Sequence, residues 1–180
     1  LVTGQLLRRA LGGRLDLLTA GQAALQGGNG FTSGSGRHDD DPLSRAGALV
    51  EGLKQAVLLL ATSAAMEFGE GIETEQEIMA RIADGVSLVY LAESGVLRAG
   101  RLAASAPDRA QPATLAARLY AGRAVDRFRY LAQEVLARVE GAGERADLLG
   151  SYLAPHGEDL IELRRQLSEV VYEGQGYPLK

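Results

Sequence analysis

The sequence predicts an all-α fold, an antiparallel bundle of four main helices plus an N-terminal helical segment. Long stretches carry apolar residues at three- and four-residue spacing, and short Gly- or Pro-marked connections separate them. Strand signals are nearly absent: Val170-Val171 comes closest, yet Val170 continues a helical stripe. At 180 residues the chain is close to one domain, a size that buries roughly 70% of its extended surface without staples.

Residues 1–26 form the N-terminal helical segment, with Leu6, Leu7, Ala10, Leu11, Leu15 and Leu18 at helical spacing and Gly12-Gly13 weakening its middle. Residues 27–40, GGNGFTSGSGRHDD, have no period and a Gly/Ser-rich composition, which predicts a flexible linker. The remaining 41–180 form the helical-bundle domain.

The second helix starts sharply, with Asp41 as its cap and Pro42 at the first helical position. Its stripe of Leu49, Leu53, Val57, Leu60 and Ala64 is widened by Val50, Leu58, Leu59 and Ala61, so it belongs inside the bundle or against another domain. It ends near Phe68-Gly69. Thr74-Glu75-Gln76-Glu77 then reads as a capping box, Thr74 the cap and Glu77 its reciprocal partner. The next helix runs toward Ala104, with Gly85 small where a neighbour passes closely. After a break at Ala106-Pro107-Asp108, Pro112 marks the first turn of a fourth helix through Leu136. A short helical piece over Glu144–Leu149 and a last helix over Glu158–Val171 complete the bundle.

Composition excludes several kinds of chemistry. With no cysteine there is no disulfide framework and no thiolate metal site, which fits a reducing compartment. His38 and His156 are too few for a His-rich metal site. The formal charge of −4 is interspersed, so no nucleic-acid partner is expected. Leu1, not Met, opens the chain, as expected of a fragment, and no signal-peptide pattern follows. The strongly apolar Ala56–Ala65 is about half a bilayer span.

Candidate constellations read as structural. Neither GGNGFTSGSG nor GEGIETE carries the Lys-Ser or Lys-Thr of a phosphate loop. Asp39-Asp40-Asp41 reads as a solvated loop ending in a cap. The acidic group Glu67, Glu70, Glu73, Glu75 and Glu77 lacks the Glu-x-x-His pairs of a di-metal bundle, so no metal ligand is assigned. His156 has no nucleophile elbow beside it and is placed in a loop before the last helix. Arg81 and Asp84, three apart, can pair on the helix surface or against another domain. Tyr90, Tyr120, Tyr130 and Phe128 read as core anchors with their polar edges outward.

From Gly71 to Ala99 the chain reads GIETEQEIMARIADGVSLVYLAESGVLRA. Gly71-Ile72, Glu75-Gln76, Arg81, Ala83-Asp84-Gly85 and Tyr90 resemble the extra C-terminal helical domain of very-long-chain-type acyl-CoA dehydrogenases. Leu53-Lys54-Gln55-Ala56 and Ala116-Ala117-Arg118 lie at matching distances, and the ending Tyr177-Pro178-Leu179 resembles that family's terminal Pro-Leu, so the resemblance spans residues 43–180.

The resemblance implies an oxidoreductase of fatty acid metabolism. Its FAD-binding core removes hydrogens from C2 and C3 of a fatty acyl-CoA, with a glutamate as base and flavin N5 as hydride acceptor. That glutamate has no counterpart here, so no catalytic and no cofactor-binding residue is assigned, and FAD belongs to the parent protein. Gln76, Arg81, Asp84, Gly85 and Tyr90 become the candidate structural or interface residues. The implied partners are the catalytic core of the same polypeptide and a second copy, giving a homodimer or higher oligomer. The expected location is the cytoplasm, with peripheral membrane attachment second, because the linker is not a basic amphipathic helix. The alternative function is an independent helical interaction or dimerisation module.

Overall fold

A computed structural model describes residues 17–27, 41–153 and 155–174. The predicted linker beyond Gly27, the segment before Leu17 and the terminal Tyr177-Pro178-Leu179 lie outside the described residues. Among those described there are six α-helices and no strand: α1 Leu17–Leu25, α2 Pro42–Phe68, α3 Gln76–Ser105, α4 Pro107–Leu136, α5 Ala142–Tyr152 and α6 Leu160–Glu173, with a 3-10 turn Gly69–Thr74.

α3 packs antiparallel to both α2 and α4, while α2 and α4, which also touch, run parallel. Lys54 on α2 meets Glu93 on α3, and along α3 and α4 Arg81 meets Glu134 while Ala99 clusters with Ala113 and Ala117. α6 lies antiparallel on α4, α5 packs on α2 and α4, and α1 packs on α2. Short connections produce this order, since the chain has no length to do anything but double back. The main core holds Leu53, Leu59, Leu60, Ile82, Val125, Phe128 and Val135. A separate apolar seam joins Leu115 and Leu119 of α4 to Leu163 of α6.

The over-wide apolar stripe of α2 is resolved by its central place. Val50, Leu53, Leu59 and Leu60 are buried, while Leu58 and Ala61 are half-buried against the same core. Within Pro42–Thr74 an 18-residue stretch, with a mean hydropathy of 1.3, is long and apolar enough to cross a membrane, but half of it is buried inside the bundle. α1 is tied in by the Tyr152 hydroxyl, which donates to the Ala24 carbonyl at 2.6 Å; burial pushes the Tyr152 phenol up.

Asp41 caps α2, accepting from the backbone N–H groups of Leu43 and Ser44. The expected cap at Thr74 is not formed. Thr74 closes the 3-10 turn, its hydroxyl donating to the Gly71 carbonyl at 2.7 Å. α3 instead starts after Glu75, which caps without a side-chain bond, and Glu77 stands exposed in the first turn. The 3-10 turn includes Thr74 itself and carries the cap position one residue on to Glu75, out of register with the Thr74–Glu77 box. Pro112 is likewise not at a helix start: α4 begins at Pro107 and carries Pro112 inside. Ala106, extended at φ −150°, is the whole break, and Pro107 suits the first helical position better than Pro112 does.

Ser63 on α2 is fully buried, and its hydroxyl has no partner among the described residues. A buried hydroxyl without a bond costs about 1–3 kcal/mol. Ser63→Ala is therefore expected to raise the unfolding free energy by about 1 kcal/mol and the melting temperature by roughly 2–4 °C, which calorimetry would detect. An unchanged or lower melting temperature would mean that the hydroxyl is satisfied.

Candidate functional site

The residues singled out on α3 divide between core and surface. Gly85 is buried, and a Cβ there would stand 2.7 Å from Cε2 of Phe128 and 3.4 Å from Cγ2 of Val57. The absent side chain lets the Phe128 ring fill the junction of α2, α3 and α4. Arg81 does not pair with Asp84. Its Nε donates to the Glu134 carboxylate on α4, which is the chief reason its pKa is raised; Asp84 acts only through its field. A cross-helix partner facing the guanidinium wins over one a turn away on the same helix. Gln76 and Asp84 are exposed. Tyr90 is 69% exposed and Tyr130 63%, so neither is a core anchor; of the four aromatics only Phe128 is fully buried, with Tyr120 half-buried.

Two surface concavities stand out. One, of about 290 Å³, lies between α2 and α3 and is lined by Lys54, Val57, Leu58, Val86 and Val89. Lys54 at its edge bonds Glu51 at 2.8 Å and Glu93 at 2.7 Å. Burial pulls the Lys54 pKa down, but the two carboxylates outweigh it and the net shift is upward. The second runs along the outer side of α6.

The acidic residues near the α2–α3 junction are partly spent on structure. Glu67 accepts from the Glu140 backbone N–H at 2.8 Å, and Glu75 lies 3.9 Å from Arg138. Among the described residues no three His, Asp or Glu side chains converge as metal ligands.

A polar joint that the sequence did not reveal locks α6 onto α4. Arg118 holds Glu158 by two bonds, Nε–Oε1 at 3.0 Å and Nη2–Oε2 at 2.6 Å, with the two side chains 18% and 8% exposed. His156 accepts the Glu158 backbone N–H on Nδ1 at 3.1 Å and sets Nε2 3.4 Å from Asp126. Arg129 donates to the Leu153 carbonyl. A Cβ on Gly122 would stand 2.7 Å from Leu160, so the glycine admits the start of α6. The only sequence signal was Arg118 sitting between Leu115 and Leu119 on a buried stripe, a charge that needs a partner.

Asp159 caps α6, accepting from Ile161 and Glu162 at 2.9 Å. The Glu162 N–H is the main cause holding its carboxyl below the ordinary range, opposed by some burial and aided by Ile161 and Arg165. A depressed carboxylate stabilises above its ordinary pKa of 3.8 and loses that contribution as pH falls through the lower native value. Asp159→Asn, which still caps, is expected to flatten this acid limb. Amide exchange across α6 between pH 5 and about 2 would check it; an unchanged acid limb would refute the assignment.

With this geometry in view, residues 52–151 match the family described as Acyl-CoA dehydrogenase, C-terminal domain. The chain belongs to the acyl-CoA dehydrogenase family. This C-terminal helical domain is 30% identical over 133 residues to a probable acyl-CoA dehydrogenase of Bacillus subtilis strain 168, covering 72% of this chain and 22% of that protein. It is also similar to the crystal structure of the acyl-CoA dehydrogenase of Bacillus anthracis complexed with FAD. There the TM-score is 0.81 at 28% identity, covering 97% of this chain and 30% of the other. The chain thus spans less than a third of both relatives.

Neither of the two concavities fits a flavin. The α2–α3 concavity offers four aliphatic side chains and a lysine already bonded to two carboxylates. The α6 concavity is built from one helix only, with nothing opposite to sandwich a ring system. No catalytic step is assigned to these residues.

Proposed function

We propose that this is the non-catalytic C-terminal domain of an FAD-dependent acyl-CoA dehydrogenase of very-long-chain type. Its work is to pack on the catalytic core of the same polypeptide and to support a homodimer or higher oligomer. The parent reaction is α,β-dehydrogenation of a fatty acyl-CoA. The division into residues 1–26, a linker 27–40 and a bundle 41–180 belongs to this reading, as does a cytoplasmic location, with peripheral membrane attachment as the second reading. Its strongest support is that nearly the whole chain superposes on less than a third of an FAD-complexed acyl-CoA dehydrogenase.

Purification of the full-length gene product tests this. A flavin-coloured protein much larger than 19.0 kDa that desaturates acyl-CoA is the expected result. A colourless product of about this size would overturn it in favour of an independent helical interaction or dimerisation module.

A further inference from the structure

α6 buries one apolar edge and leaves two large apolar side chains exposed among polar ones on the other side. Leu160, Leu163, Leu167 and Val170 close the seam with α4. On the opposite side Ile161 is 58% exposed and Tyr172 83%. Between them Arg164, Arg165, Ser168 and Glu169 line a shallow concavity of about 380 Å³.

At about 100° per residue, positions 161, 165, 168 and 172 fall on one side of the helix. Their spacing of four, three and four reads the same from either end. The chemistry is complementary under that reversal. A second α6, running antiparallel across a two-fold axis between residues 166 and 167, sets Ile161 against the partner's Tyr172, twice. On one flank of the same seam Arg165 approaches the partner's Glu169, also twice, because like flanks meet in an antiparallel pair. Within its own helix Arg165 reaches Glu162 only at 4.0 Å, with its side chain 73% exposed.

We propose that α6 is a self-docking surface whose occupant is the α6 of a second copy of this chain. This rests on the reading of the domain as an oligomerisation element and names the seam. A helix of four turns buries less than the roughly 1,200 Å² of a stable standard interface. The α6 seam therefore extends a larger contact, and its geometry, not dimer yield alone, is the thing to measure.

The 180 residues hold no cysteine, so Ser168→Cys in the full-length polypeptide gives this domain a single thiol, beside the axis on the exposed side of α6. Under mild oxidation the two introduced thiols should join in a disulfide between chains, identified by mass spectrometry of the linked peptide. It should form about tenfold faster than from an exposed control, Gly143→Cys on α5. Adding Arg165→Glu or Glu169→Arg should each slow it about five- to tenfold, which corresponds to about 1–1.4 kcal/mol. An equimolar mixture of the two charge variants should recover the rate. Each variant alone sets like charges against each other across the seam, and only a mixed pair of chains restores opposite charges on both sides of the axis. A rate no faster than the control, or a mixture as slow as its components, overturns the proposal. Sedimentation of the same samples separates the two readings. An oligomer without the bridge removes only the α6 seam, whereas a monomer also removes oligomerisation.

Discussion

Phe128→Ala is expected to lower the unfolding free energy by about 3–5 kcal/mol, the range for emptying a buried aromatic site. The melting temperature should fall by on the order of 10 °C. Phe128 is fully buried where α2, α3 and α4 converge, and its ring occupies the space left by Gly85. The pair gives a sharper test than the single change. Gly85→Ala gains about 1 kcal/mol of helix propensity but forces a methyl to within 2.7 Å of a ring atom, and overpacking of this kind costs about 1–3 kcal/mol. In the native background the clash wins or breaks even. In the Phe128→Ala background the same change fills part of a cavity, and its sign should reverse to stabilising. Denaturant unfolding of the four proteins measures this; a Gly85→Ala effect identical in both backgrounds would show that ring and glycine are not coupled.

Breaking the Arg118–Glu158 pair carries the next largest expected effect. Removing one partner of a fully buried pair costs about 3–5 kcal/mol. Arg118 keeps 18% exposure, so for Glu158→Ala we expect about 2–3 kcal/mol after solvent screening. The loss should localise: amide exchange should quicken across α6, whose seam on Leu115 and Leu119 depends on the joint, while α2 and α3 stay protected. The double change Arg118→Met with Glu158→Leu should cost less than Glu158→Ala alone, because no buried charge is stranded. A single-variant cost below about 0.5 kcal/mol would place the bridge with ordinary surface pairs.

Local signals were legible where the physics is local. Asp41 followed by Pro42 marks the start of α2, because an N-cap and a first-turn proline need only neighbouring backbone groups. The same logic failed at Thr74, which the 3-10 turn includes, and at Pro112, which the helix tolerates once Pro107 has begun it. Which Pro or Thr is used depends on where the preceding helix stops, and packing sets that.

Periodicity and composition carry the all-α class, the order of the helices and the buried stripe of α2, since each follows from residue spacing along one axis. Packing between helices sets the rest: Arg81 faces Glu134 and not Asp84, Tyr90 and Tyr130 point outward, and Arg118 finds Glu158 forty positions away. Those choices depend on the rotation and crossing of neighbouring helices, which side-chain packing between distant segments sets and no spacing within one segment records.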